Sequence, residues 1–155
     1  MSSRQILAHG GRLIDRSVRG AEREKKLAAA ASLPKITLSA RQQSDLDMIA
    51  CGALSPLEGF MGEKDYLSVI NTMRLASGLP WTIPITLAVT EEEGEKLKVG
   101  DDTCLVGARS PRPGEETPPL PLALLHLEEK FPARREMEAE KVYKTTETAH
   151  PGVAA

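Results

Sequence analysis

The chain has 155 residues, of which 41% are hydrophobic and 27% are charged, and its formal net charge is −2. This length suits one domain, or one domain with an appendage. A balance so close to neutral argues against a nucleic-acid partner, because proteins that bind nucleic acid usually concentrate basic residues on one surface. No segment approaches the roughly 20 apolar residues of a membrane span, so we expect no membrane partner.

The first forty residues predict a turn, a helix and two short strands. Gly10 and Gly11 predict a tight turn, and residues 11–18 after it predict a short strand. Residues 21–31, AEREKKLAAAA, are rich in helix formers and predict a solvent-facing helix. Residues 35–39, KITLS, contain β-branched side chains and predict a second strand.

The next segment carries two helix-start signals. Ser39, followed three residues later by Gln42, fits a capping box, and Gly52 fits the end of the helix that this box begins. Ser55, followed by Pro56 and by Glu58, fits a second box. Glycines follow closely, so we predict one helical turn and then a bend.

A longer helix and a strand are predicted next. Residues 63–75 place Tyr66, Val69, Ile70 and Met73 on one helical face. Residues 81–89 alternate apolar and small or polar side chains and predict a strand with one buried face. Its proline, Pro84, lacks an amide donor, so this strand is predicted to lie at a sheet edge or to carry a bulge.

The periodicity of the two preceding helices also predicts their packing. We expect their apolar faces, with Leu46 and Ile49 on one helix and Val69 and Met73 on the other, to cover a sheet. That sheet would contain the strand of Ile83, Ile85 and Leu87.

The last third predicts strands joined by turns and a late helix. Strands are predicted over residues 103–109 and 122–131, on either side of an exposed, proline-rich loop at residues 110–121. A charged helix is predicted over residues 133–144, and residues 145–155 show no periodicity. Because strands and helices do not alternate regularly, the whole predicts an α+β fold with a mixed or antiparallel, barrel-like sheet.

Cysteine, histidine and aspartate residues give no metal or catalytic pattern. Cys51 and Cys104 fit no metal-ligand spacing and are interpreted as small buried hydrophobes in a reducing cytoplasm. The three histidines, His9, His126 and His150, are remote in sequence, and convergence in space stays open. A hydrogen-bonded or outward-facing side chain is the expectation for His126. Asp45 and Asp47, two apart on a helix, point to different faces and cannot form an acid–base pair there.

Two remaining features could be mistaken for chemistry. Ser55 has no evident base, so capping explains it better than nucleophilic catalysis does. The glycine pair after His9 is interpreted as a turn, and the sequence contains neither G-x-G-x-x-G nor G-x-x-x-x-G-K-[ST] for binding phosphates.

Several long stretches nevertheless resemble one enzyme family. SPLEGFM followed by DY, then MRL with a later glycine, and IPITL resemble the N-terminal region of ATP sulfurylase, also called sulfate adenylyltransferase. HGG near the start and EAEKVYKTTETAHPGVA at the end extend the resemblance over nearly the whole chain. ACGAL, where the family usually has Gly-Gly-Phe, and the long proline-rich loop are departures that concern packing.

The resemblance implies a PUA-like pseudo-β-barrel with flanking helices in residues 1–139, and the start of a connection to a catalytic domain in residues 140–155. It implies a full enzyme that makes adenosine 5'-phosphosulfate and pyrophosphate from Mg-ATP and sulfate. The expected partner is that catalytic domain, in the same or a separate chain, and homo-oligomers are compatible with the family.

The family's catalytic signatures, Q-x-R-N and H-x-x-H, do not occur in these residues. We therefore assign no catalytic, cofactor-binding or metal-binding residue, and expect no cofactor in this chain and no activity from it alone. Two other functions stay open: a stand-alone PUA-like module that binds RNA or another ligand, and a scaffold for oligomer assembly. Five aromatic residues are few for stacking on RNA bases.

Overall fold

The chain folds into two compact units, each built from two separate stretches of sequence. The computed structural model describes residues 6–107 and 118–154. The first unit comprises Met1–Gly59 and Val89–Glu128, and the second comprises Phe60–Ala88 and Glu129–Ala155.

The helices and strands of the described residues follow one another in an irregular order. They are α1 (Gly20–Ala30), β1 (Lys35–Thr37), α2 (Ala40–Ala50), α3 (Glu63–Thr72), α4 (Glu91–Lys96), β2 (Asp102–Gly107), β3 (Leu120–His126), α5 (Arg135–Glu138), a π-helical segment (Ala139–Tyr143) and α6 (Pro151–Ala154).

The first unit contains a three-stranded mixed sheet in the order β1-β2-β3. The central strand β2 runs parallel to β1, with Ile36 opposite Leu105, and antiparallel to β3, with Asp102 opposite His126. All residues of β2 after Asp102 are buried, because the strand has a neighbour on each side and is covered. Cys104 packs with Ala30, the last residue of α1, in this core. The α+β class with a mixed sheet, predicted from the sequence, is confirmed.

The capping box at the start of α2 is confirmed in both of its hydrogen bonds. The Ser39 hydroxyl accepts from the Gln42 amide at 3.3 Å, and the Gln42 side chain accepts from the Ser39 amide at 2.8 Å. The helix ends as predicted at Gly52, whose φ of 81° lies in the left-handed region. The two bonds and the glycine fix the register of α2, which buries Leu46 and Ile49.

The strand predicted for residues 11–18 is wrong. In the described part of the chain, residues 11–18 belong to no strand. They run instead as an irregular connection past the end of α2, where the Arg16 amide donates to the Ala50 carbonyl at 2.9 Å. The larger apolar residues Leu13 and Ile14 are adjacent rather than alternate, so their side chains could not both line one face of a strand. The turn predicted before them is confirmed, since the Gly11 amide donates to the Ala8 carbonyl at 2.8 Å.

In the second unit, α3 buries Tyr66, Val69 and Ile70 as its periodicity predicted. The helix stops earlier than predicted, because Met73 adopts a left-handed φ of 54° and its side chain is exposed. The π-helical segment packs against α3 and α6, and its first residue, Ala139, is buried. A helical region at residues 133–144 is therefore confirmed, although it divides into α5 and the π-helical segment.

The strand predicted for residues 81–89 is wrong, and with it the sheet on which the helices were expected to pack. These residues form no ladder within the described chain, and the predicted core residue Ile83 is exposed. Pro84 supplies no amide donor. The peptide groups of Ile85 bind Met61 instead: its carbonyl accepts from the Met61 amide at 2.8 Å, and its amide contacts Met61 Sδ at 3.5 Å.

Two differences concern the segments that flank β2. Residues 91–96 form α4, which was not predicted from the sequence. The signal for it was present, because Thr90 and Glu93 make a capping box. Most of the proline-rich loop, residues 110–117, lies outside the described residues. Its last residues, Leu120 and Pro121, belong to β3, which therefore begins earlier than predicted.

Gly52→Ala should lower the free energy of unfolding by about 2 kcal/mol or more, because alanine resists the left-handed conformation and overpacks the site. A Cβ there would lie 2.8 Å from the Ile14 carbonyl oxygen and 2.8 Å from a Leu13 methyl group. Urea unfolding measures the loss.

Gly59→Ala is the matched control, because a Cβ at Gly59 would meet nothing within 4 Å. It should change stability by no more than about 0.5 kcal/mol. Equal unfolding midpoints for the two variants would contradict the role assigned to Gly52.

Candidate functional site

His126 is the last residue of β3, and its side chain is hydrogen-bonded, as expected. Its Nδ1 lies 2.7 Å from Asp102 Oδ1, across the β2–β3 pair, and both side chains are exposed. An ionised carboxylate only accepts, so the facing ring nitrogen carries the proton. The pair thus joins the ends of two neighbouring strands.

His150 belongs to the second unit and has different neighbours. The Gly152 amide donates to its Nδ1 at 3.1 Å, and its ring centroid lies 5.2 Å from that of Tyr143. Because Nδ1 accepts, Nε2 is the nitrogen of this ring that carries a proton. These contacts hold α6 on the π-helical segment. His9 lies in the N-terminal turn.

Asp45 and Asp47 stay apart in environment, as their spacing on α2 predicted. Asp45 is half-buried, whereas Asp47 is exposed. Burial raises the pKa of Asp45, and the nearby Arg41 guanidinium partly opposes the rise. The two carboxyl groups therefore lie in different environments and form no catalytic pair.

The two cysteines differ from each other. Cys104 is fully buried in the core of the first unit, as predicted, and burial raises the pKa of its thiol, with Lys35 opposing. Cys51 is exposed, so the prediction that it is a buried hydrophobe is wrong. Cys51 is the C-cap residue of α2, at the C-terminal end of the helix.

Ser55 is not the helix cap that the sequence predicted. No α-helix begins there, and the side chain is buried. Its hydroxyl donates to the Gly52 carbonyl at 2.6 Å and accepts from the Ile14 amide at 2.9 Å. Both functions of the hydroxyl are satisfied, so Ser55 joins the N-terminal connection to the end of α2 and is not free to act as a nucleophile.

The best-connected polar cluster of the second unit surrounds the Tyr66 hydroxyl. That hydroxyl donates to Glu138 Oε2 at 3.1 Å and accepts from the Arg134 amide at 3.0 Å. The Tyr66 ring lies 5.2 Å from the ring of Phe131. Burial raises the pKa of Tyr66, and the Arg134 amide bond opposes it. The hydroxyl therefore stays protonated and acts as a donor rather than a base.

A carboxylate occupies the N-terminus of α3. Glu129 Oε1 accepts from the Glu63 amide at 2.7 Å, and Arg134 pairs with the Glu63 carboxylate at 3.6 Å. The N-cap residue, Gly62, has no side chain to cap the helix, and a Cβ there would overlap Glu129 Oε1. A negative charge at this end favours the helix. We call the Tyr66 contacts and this carboxylate contact together the α3 clamp.

The α3 clamp was not predicted from the sequence, because its contacts join residues 66 to 72 positions apart. One signal was present: a glycine at the first turn of a helix leaves amides that need an acceptor from elsewhere. The sequence could not say which carboxylate supplies it.

Two features are absent from the described residues. Across residues 6–107 and 118–154, no group of three or more His, Cys, Asp or Glu side chains could hold a metal ion. In the same ranges, no helix combines the length and apolar character needed to cross a membrane. The acidic and hydroxyl groups of the α3 clamp bind the protein's own backbone and side chains.

Comparison with known proteins gives a family and a set of relatives. Residues 6–155 match the family model of a PUA-like domain. A sulfate adenylyltransferase of Symbiobacterium thermophilum is 48% identical over 149 residues, which is 96% of this chain and 36% of the relative. A probable bifunctional SAT/APS kinase of Sorangium cellulosum is 48% identical over 149 residues, which is 96% of this chain and 24% of the relative.

One solved structure is also similar. A hexameric APS kinase from Thiobacillus denitrificans matches with a TM-score of 0.59 and 33% identity, over 65% of this chain and 20% of that one. The chain thus spans about a third or less of the length of these relatives. The resemblance to sulfate adenylyltransferases found in the sequence is confirmed.

Glu129→Ala should lower the free energy of unfolding by about 1 kcal/mol, the usual effect of losing a helix cap. Glu129→Gln should lose less, because the amide oxygen still accepts from the Glu63 backbone. Urea unfolding followed by circular dichroism measures both. Glu128→Ala, which removes an exposed neighbouring carboxylate, is the control; a loss as large as that of Glu129→Ala would refute the clamp.

Asp45→Asn should raise the melting temperature at pH 7 and leave it nearly unchanged at pH 3. Burial raises the pKa of Asp45 in the folded protein above the ordinary value of 3.8. The folded state therefore binds the proton more tightly, and stability falls as pH rises through the folded pKa.

Asp47→Asn is the matched control, because it removes an exposed carboxylate from the same helix. A gain for Asp45→Asn that is the same at pH 3 and pH 7 would contradict the assignment.

Proposed function

Since this chain belongs to the PUA-like domain family, we propose that it is the N-terminal, non-catalytic domain of a sulfate adenylyltransferase. The whole enzyme would make adenosine 5'-phosphosulfate and pyrophosphate from ATP and sulfate. The observation that carries the proposal is the extent of the match to relatives named for this activity. The match covers 96% of this chain but only part of the length of each relative.

The occurrence of the same region in relatives of different total length supports the proposal. The region matches 36% of one relative and 24% of a bifunctional one at the same identity. It is therefore kept in enzymes of different total length, as expected of a separate domain.

The internal use of polar groups supports a non-catalytic role. Attack of a sulfate oxygen on the α-phosphate builds negative charge that needs fixed donors, and losing one such donor costs about 3 to 4 kcal/mol. The Tyr66 hydroxyl, the Glu129 carboxylate and the Ser55 hydroxyl are each bound to other parts of the chain. In this proposal, Mg-ATP and sulfate are substrates of a catalytic segment, which is the partner of this domain.

Assembly and location complete the proposal. The solved structure similar to this chain is described as hexameric, which supports a homo-oligomer in the whole enzyme. Cys51 and Cys104 are free, and a cytoplasmic location would keep such thiols reduced.

A chimera tests the function directly. The chain replaces the matching 149 residues of the Symbiobacterium thermophilum relative. Phosphate released from ATP, magnesium and sulfate in the presence of pyrophosphatase measures turnover. The chimera should be active, and the chain alone should not exceed a blank without protein.

The control is the relative without its matching residues, which should be less stable or less active than the chimera. A folded but inactive chimera would refute membership in this enzyme. Turnover by the isolated chain would refute the non-catalytic role.

A further inference from the structure

Residues 73–88 form a segment that is almost free of charge. We call it the apolar ribbon. It contains one charged side chain, Arg74, although 27% of the whole chain is charged. Protein interfaces are depleted of lysine, glutamate and aspartate and enriched in methionine, tryptophan and arginine. The composition of the apolar ribbon is that of an interface.

The apolar ribbon also displays large side chains to solvent. Met73 is 41% exposed and Ile83 is 44% exposed. Trp81 connects the backbone of these two residues. Its amide donates to the Met73 carbonyl at 2.8 Å, and its indole nitrogen donates to the Ile83 carbonyl at 2.8 Å. Two exposed apolar side chains therefore lie on one connected piece of backbone, together with the half-buried Trp81.

The turn that opens the apolar ribbon is held in one conformation. Asp65 Oδ1 accepts from the Ala76 amide at 2.7 Å, and the Leu75 amide donates to the Leu79 carbonyl at 2.9 Å. Leu75 is buried and anchors the turn. Met73 has a left-handed φ of 54°, a conformation that side chains other than glycine seldom adopt. A surface held in this way binds without a large loss of conformational entropy.

The second half of the apolar ribbon has open backbone groups. Residues 82–87 belong to no strand. Thr86 and Leu87 make no hydrogen bond to any described residue, and Pro84 is compatible only with the edge of a sheet. In an extended chain, the peptide groups of neighbouring residues point to opposite sides. Because those of Ile85 bind Met61, the amide and carbonyl of Thr86 face away from Met61 and fit the addition of a strand from another segment.

We propose that the apolar ribbon docks an extended, apolar strand from the catalytic segment of the same polypeptide; this inference rests on the proposed function. The relatives are about three to four times longer than the match, so they have such a segment. The ribbon and residues 129–154 belong to the same unit, so a segment following them is tethered near the ribbon. Tethering raises its effective concentration there.

Hydrogen–deuterium exchange tests the docking in the full-length chimera described above. The Thr86 amide should exchange at least about tenfold more slowly in the chimera than in the isolated chain, because a docked strand binds it. The Ala76 amide is already bonded and should not change.

Ile83→Lys in the chimera should abolish this protection, because it places a charge in the dry interface. Val99→Lys is the matched control: Val99 is 56% exposed and lies outside the apolar ribbon. It should leave the protection unchanged.

The outcomes separate the two proposals. An active chimera whose Thr86 amide exchanges as fast as in the isolated chain would overturn the docking and leave the proposed function intact. An inactive, folded chimera would overturn the proposed function first. Protection that already appears in the isolated chain, together with sedimentation as a dimer, would overturn the docking in favour of a second copy.

Discussion

The Tyr66 hydroxyl makes the contact on which the second unit depends. That unit consists of two stretches separated by forty residues of the first unit, so no local propensity can bring them together. The hydroxyl binds Arg134 and Glu138 from the later stretch, and Glu129 of the same stretch neutralises the end of α3. Buried polar groups are costly without partners, so these bonds select one arrangement of the two stretches.

The first unit solves the same problem through its sheet. Its two stretches meet where β1, from the first, pairs with β2, from the second. Parallel pairing needs a long connection, and the intervening chain supplies it. Ser55 adds a second link within the first stretch, by joining Ile14 to the end of α2. In both units, long-range hydrogen bonds position helices whose own periodicity fixes only which face is buried.

The hydrogen bonds of these polar side chains bear on the function of the chain. The hydroxyls of Ser55 and Tyr66, which could otherwise perform nucleophilic or acid–base chemistry, are bound to the chain itself. The apolar ribbon is the opposite case, since it leaves Met73, Ile83 and the backbone of Thr86 open. Satisfied polar clusters together with an open apolar segment are the features on which the proposed supporting role rests.

The sequence by itself determined what depends on neighbours a few residues apart. The capping box of Ser39 and Gln42, the end of α2 at Gly52 and the buried face of α3 all follow from local hydrogen bonding and helical spacing. The family resemblance likewise rests on ordered local matches. Only the tertiary structure decided that residues 81–89 pair with no strand among the described residues, although their alternation is regular. Alternation states which side chains share a face, but a strand needs a partner for its backbone, and that partner comes from distant chain. The same reason hid the acceptor at the start of α3: Gly62 indicates that one is needed, and only folding brings Glu129 to it.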